Sequence, residues 1–121
     1  MRVLLVDDSP LVSRVVGELV ARVPTLALVG VATTAEGAIR RLPTLRPDVV
    51  IMDSRLPGMS GVAATAELRR RQPHVHMVGF TASVESALHD AFLGAGAAAV
   101  FTKDNALALR DYLERRAAGG D

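Results

Sequence analysis

The sequence predicts a doubly wound α/β domain, (βα)5, built on one five-stranded parallel sheet. Three observations carry that prediction. Short runs that are apolar on both faces alternate with segments of helical period, as in a parallel sheet covered by helices on both sides. The helical segments open on recognisable start signals. Four of the apolar runs lead into a residue bearing a charge or a hydroxyl: Val3–Val6 into Asp7 and Asp8, Val49–Met52 into Asp53, His76–Phe80 into Thr81, and Ala98–Thr102 into Lys103. In a parallel sheet those ends share one edge, where open α/β sheets bind ligands at the reversal of strand order.

Taken in order, the first strand is Val3–Val6, and Ser9-Pro10 then places an N-cap hydroxyl before a proline at the first helical position. The second strand is Leu26–Val31, and Thr33-Thr34-Ala35-Glu36 has capping-box spacing at the head of the second helix. After the third strand, Val49–Met52, Ser60 precedes a helix over Gly61–Gln72 that Pro73 stops. The fourth strand, His76–Phe80, leads to a helix over Glu85–Leu93 ending at Gly94 and Gly96. The fifth strand is Ala98–Thr102. The last helix runs from Asn105 to Arg116 with Ala106, Leu109 and Leu113 on one face. Residues 117–121, Ala-Ala-Gly-Gly-Asp, read as a tail or the beginning of a linker, so the predicted domain is 1–116.

Composition narrows the function classes. A chain of 121 residues is one domain with room for its own core. With 50% apolar residues its body is not disordered. The absence of cysteine excludes disulfides and thiolate metal sites. The net charge of +1 argues neither for nor against a polyanionic partner. A first strand beginning within the first three residues leaves no room for a signal peptide, and no run is long enough to cross a bilayer. The expectation is a soluble cytoplasmic protein.

Three carboxylates, one ammonium and one hydroxyl converging on one sheet edge describe a metal-and-phosphoryl site. Each residue has a plainer reading. Asp8 could compete with Ser9 as a helix N-cap, Asp7 could be a charge favoured by the helix dipole, and Asp53 could cap a loop. Lys103 could be a surface lysine, and Thr81 is at home in any strand. Those readings need five separate accidents in the correct order. Other sites lack their features. A dinucleotide site wants glycines where Asp7-Asp8-Ser9-Pro10 stands, no P-loop Gly-Lys-Ser/Thr occurs, and a haloacid-dehalogenase-type phosphatase wants Asp-x-Asp after the first strand. His74 and His76 share a strand-like period but have no third ligand in view, so they read as a solvated strand edge. Arg69-Arg70-Arg71 has no interleaved aromatics and reads as a helix end that suits the dipole.

With Leu56-Pro57-Gly58-Met59-Ser60-Gly61 following Asp53, this order of residues resembles the receiver domain of two-component response regulators, over the whole chain, with its flavodoxin-like topology. Pro57–Gly61, the stretch Gly94-Ala95-Gly96-Ala97 and the pair Lys103-Asp104 look like the NarL/FixJ-type subfamily. The resemblance implies a switch phosphorylated by a histidine kinase in a Mg²⁺-dependent reaction. Asp53 would be the phosphoacceptor, and Asp7, Asp8, Asp53 and the backbone carbonyl of Arg55 would be the metal ligands. Lys103, Thr81 and the backbone N–H of Ala82 would contact the phosphoryl oxygens. Such a domain catalyses its own phosphoryl transfer and dephosphorylation and is not otherwise an enzyme. Arg55 and Ser83, two residues beyond Asp53 and Thr81, would flank the attacking water and set the lifetime of the acyl phosphate. The implied partners are the kinase, an output domain or separate target, and a second copy in a phosphorylation-dependent homodimer. DNA, and with it transcription regulation, would be reached only through an output domain that this chain does not include.

One position departs from that pattern. The aromatic residue whose rotation reports phosphorylation usually lies three before the lysine, and here that residue is Val100. Phe101 is adjacent and so points to the opposite face, and valine has a stiff χ1. The signal would then travel through the loops after strands three and four, or through helix four, strand five and helix five. A pseudo-receiver that keeps the fold without turning over phosphate, and a phosphorelay intermediate without output, are the alternatives.

Overall fold

The computed structural model describes residues 1–120; Asp121, at the end of the tail read from the sequence, lies outside the described residues. The elements are β1 (Arg2–Val6), α1 (Pro10–Ala21), β2 (Ala27–Ala32), α2 (Ala35–Leu45), β3 (Val49–Met52), α3 (Gly61–Arg71), β4 (His76–Thr81), α4 (Ser86–Gly94), β5 (Ala99–Thr102) and α5 (Ala106–Ala117), with a 3₁₀ turn over Lys103–Asn105. All five strands are parallel, in the order β2-β1-β3-β4-β5. The doubly wound architecture is as the sequence predicts, with element ends displaced by a residue or so.

The local signals mostly act as read. Ser9 caps α1, its hydroxyl accepting the Val12 N–H at 3.3 Å ahead of Pro10, so Asp8 is free of that duty. Ser60 caps α3 by accepting the Ala63 N–H. The capping box does not form: Thr34, not Thr33, is the cap of α2, and its hydroxyl takes the Gly37 N–H at 3.0 Å. That places Glu36 one residue too early to reach back to the cap.

The pleat sorts the core into two layers. Leu4 and Val6 of β1, with Val50, Met52 and Met77, pack under Ala38 and Leu42 of α2, Ala64 and Leu68 of α3, and Phe92 of α4. Val3, Leu5, Val49, Ile51, Val78 and Phe80 pack against Val16 and Val20 of α1 and Leu109 and Leu113 of α5. Each strand therefore spends alternate residues on opposite faces. That parity decides where the residues just beyond the strands end up.

Candidate functional site

Val6 of β1 is level with Met52 of β3, so Asp7 and Asp53 stand side by side one residue past the strands. Both continue the parity of the α1/α5 face, and Lys103 continues it from Phe101, which packs in the same layer. The Lys103 ammonium lies 2.8 Å from Asp7 Oδ2 and 3.0 Å from Asp53 Oδ1. Asp8 is exposed, and one carboxylate oxygen from each of Asp7, Asp8 and Asp53 lies within 4.8 Å of the others. Among the described residues this is the only such group of three ligand-bearing side chains.

Asp7 is 1% exposed. Its Oδ1 accepts the Ser9 N–H at 2.9 Å, which also starts the turn into α1. Its Oδ2 is buried without an aligned hydrogen-bond donor; the ammonium beside it makes an ion-pair contact only. A buried carboxylate oxygen with free lone pairs, among three carboxylates facing one ammonium, fits a small divalent cation that prefers hard oxygen ligands. Burial pushes the Asp53 carboxyl above its ordinary range; Lys103 opposes this, Asp7 adds to it, and the upward push wins. For Lys103, burial alone would lower the pKa, but the contacts to Asp7 and Asp53 outweigh it and raise the value, so the side chain is a firm cation.

Thr81 ends β4 on the other parity, with Met77 and Gly79 toward α3 and α4. Its hydroxyl pairs with Ser54 Oγ at 2.7 Å and accepts the Ser83 N–H at 3.1 Å. Ser54 was not singled out from the sequence. The signal that finds it is register: Met52 faces Gly79, and two residues further along each chain bring Ser54 level with Thr81. Asp8, Asp53, Arg55, Thr81, Ala82 and Lys103 all border one cleft of about 670 Å³. Of the expected residues only Asp7 does not border this opening; it is buried behind Lys103, which it contacts, while Thr81 is bonded to Ser54 and Ser83.

The loop after Asp53 closes against the main chain of Asp53 and Ser54. The Gly61 N–H donates to Ser54 O at 3.0 Å. A Cβ at Gly61 would sit 1.7 Å from the Asp53 carbonyl oxygen, so only glycine permits this approach.

Val100 and Phe101 face opposite ways, as their adjacency requires. Val100 is level with Gly79 and packs in the layer containing Phe92, whose ring carbons stand 3.1–3.2 Å from where a Gly79 Cβ would be. Phe101 packs against Tyr112, ring centroids 5.2 Å apart. His74 and His76 lie at the far edge of the sheet, and His76 is tied to the Tyr112 hydroxyl at 2.5 Å. In the basic run, Arg70 and Arg71 pair with Glu67, and Arg69 donates to the Val75 carbonyl. The run is occupied within the fold.

Among the described residues, no helix is long and apolar enough to cross a membrane. A family model described as "Response regulator receiver domain" matches residues 3–114. Response regulator GacA of Pseudomonas viridiflava is 38% identical over 108 residues, covering 89% of this chain and 50% of that protein. The DNA-binding transcriptional activator DevR/DosR of Mycobacterium tuberculosis is 36% identical over 105 residues, covering 86% of this chain and 48% of that one. The chain spans about half the length of these curated relatives. A crystal structure of a LuxR-family two-component response regulator from Aurantimonas sp. SI85-9A1 superposes with a TM-score of 0.90 at 34% identity, over 98% of this chain and 86% of that one.

Proposed function

The chain belongs to the response regulator receiver domain family, and from that premise we propose that a histidine kinase phosphorylates it on Asp53 in a Mg²⁺-dependent reaction. The observation that carries this is the buried Asp53 carboxylate, 3.0 Å from the Lys103 ammonium and clustered with Asp7 and Asp8. A carboxylate oxygen of Asp53 attacks phosphorus, the bond to the donor breaks with its electron pair leaving on the donor, and an acyl phosphate results. Asp7, Asp8 and Asp53, with the carbonyl of Arg55, would hold Mg²⁺, which when bound neutralises charge between the nucleophile and the phosphoryl oxygens. Lys103 holds one phosphoryl oxygen, and Thr81 and the Ala82 N–H donate to others. Arg55 and Ser83 govern water access and hence the lifetime of the product.

The receiver unit is 1–116, followed by the tail 117–121, in a cytoplasmic protein whose output is DNA binding, with transcription regulation as the result. Phosphorylation favours a homodimer or the release of that output. Because Val100 offers no large rotamer change, the response runs through the loops after β3 and β4 or through α4, β5 and α5. A pseudo-receiver that never turns over phosphate is the second reading, and Val100 is what favours it.

Intact mass after incubation with phosphoramidate separates the two. We expect the wild type to gain one phosphoryl group with Mg²⁺ and none with a chelator, and Asp53→Asn to gain none. Equal uptake by Asp53→Asn would overturn the assignment, and a wild type that stays unmodified would support the pseudo-receiver.

A further inference from the structure

Ser54 directly follows the proposed acceptor, and its main chain is held by the Gly61 N–H at 3.0 Å. Its side chain continues the parity of Met52 and meets Thr81, whose Oγ1 lies 2.7 Å away, a full-strength O–H···O distance. We infer that Ser54 is the positioning residue for Thr81: it stands behind the threonine hydroxyl as a hydrogen-bond donor, leaving the Thr81 proton for a phosphoryl oxygen on Asp53. The inference rests on the reading of Asp53 as acceptor.

A hydroxyl has one proton to give and two lone pairs to fill. The Ser83 N–H fills one lone pair of Thr81 at 3.1 Å. One lone pair and the proton remain, and Ser54 Oγ is the partner at hand. In the resting protein either hydroxyl can donate across that contact. An anionic phosphoryl oxygen breaks the tie, because a hydrogen bond to a charged acceptor is about twice as strong as a neutral one. The Thr81 proton then goes to the phosphoryl group, and Ser54 must donate to the lone pair left behind. The chain Ser54→Thr81→phosphoryl runs one way, and each bond polarises the next. The two residues depend on the contact unequally. Thr81 is 0% exposed and draws its partners from the protein, whereas Ser54 is half-buried at the border of the cleft.

The test is a double-mutant cycle on the rate of phosphoryl uptake from phosphoramidate at saturating Mg²⁺, followed by intact mass. It compares the wild type, Ser54→Ala, Thr81→Ala and the double variant, with Ser54→Thr as the conservative replacement. Ser54→Ala keeps its carbonyl for the Gly61 clamp, so the loop is not at stake. The expected result is uptake slowed about three- to tenfold by Ser54→Ala, the size of one neutral hydrogen bond. In the Thr81→Ala background the same change should have no effect, and Ser54→Thr should restore the rate. A Ser54→Ala effect equally large without Thr81 would overturn the inference. So would an unchanged rate, or a faster one, which would make Ser54 a restraint on Thr81. Normal uptake by the wild type with an indifferent Ser54→Ala defeats this inference alone, whereas a wild type that takes up nothing defeats it together with the proposed function.

Discussion

At the N-terminal edge of the sheet Arg2, Asp48 and His76 are partnered. The Arg2 guanidinium donates to the Leu45 carbonyl at 2.6 Å and to that of Arg46 at 3.3 Å, where α2 ends on Arg46 in the left-handed conformation with φ of 47°. Asp48 accepts the Arg2 N–H at 2.7 Å, and His76 shares a hydrogen bond with Tyr112. At the C-terminal edge Asp7, Asp8 and Asp53 crowd within 4.8 Å around a single ammonium, and Asp7 Oδ2 is buried without an aligned donor. The first edge uses charge to close off helix and strand ends, which stabilises the fold. The second holds charge at a cost that a cation would relieve, and perturbed groups gathered in a cleft are the physical signature of a functional site. The two edges should therefore respond differently to substitution and to metal.

The largest effect should come from breaking the C-terminal edge mechanically. Gly61→Ala would put a Cβ 1.7 Å from the Asp53 carbonyl oxygen and 2.9 Å from the Ser54 Cα, both backbone atoms. The loop must then leave its place beneath the acidic cluster. We expect a loss of about 4 kcal/mol or more in urea unfolding, in the range reserved for a strained or disrupted site, together with loss of Mg²⁺ binding. Gly94→Ala is the matched control, since no atom lies within 4 Å of its Cβ position. It should be neutral or stabilising by about 0.5–1 kcal/mol.

A smaller effect, with opposite signs at the two edges, should follow from deleting one carboxylate at each. In metal-free buffer Asp8→Ala should raise the melting temperature by relieving repulsion among the three carboxylates. Asp48→Ala should lower stability by about 0.5–1 kcal/mol through the lost acceptor for the Arg2 N–H. Mg²⁺ at ten to a hundred times its dissociation constant should add about 1.4–2.7 kcal/mol to the wild type and to Asp48→Ala. It should add almost nothing to Asp8→Ala. Melts of the three proteins with and without a chelator give all of these values, and equal Mg²⁺ stabilisation of both variants would remove the cation from the account of the cluster.

Much of this was legible in the sequence because the acidic residues, the threonine and the lysine immediately follow apolar runs, and a parallel sheet puts all such ends on one edge. Period-two alternation was enough to separate Val100 from Phe101. What stayed hidden depends on register between strands. That Thr81 meets Ser54 needs the pairing of Met52 with Gly79, and nothing in the β3 or β4 sequence alone supplies it. The Gly61 clamp is likewise a contact between a loop and a residue seven positions earlier. The choice of Thr34 over Thr33 as cap is a shift of one residue, finer than a spacing rule resolves.

The smallest effect tests whether the N-terminal edge is free of charge conflict, and His76 is where it is not. Burial lowers its pKa from the ordinary 6.5, and the Arg116 and Arg69 guanidiniums lower it further; His74, Asp48 and the chain's amino terminus border the same hollow. A folded state that disfavours the protonated imidazole binds fewer protons than the unfolded chain. Stability from this residue is therefore fully present above the unfolded value of about 6.5 and is lost as pH falls below it toward the depressed folded value. The bond to Tyr112 does not add to that slope, because Nε2 can accept from the hydroxyl when neutral and donate to it when charged. His76→Gln should thus show a shallower loss of stability as pH falls below about 6.5, while Tyr112→Phe should lower the curve through the lost hydrogen bond. Parallel wild-type and His76→Gln curves across that range would mean that the N-terminal edge carries no such conflict, and the contrast between the two ends would then be complete.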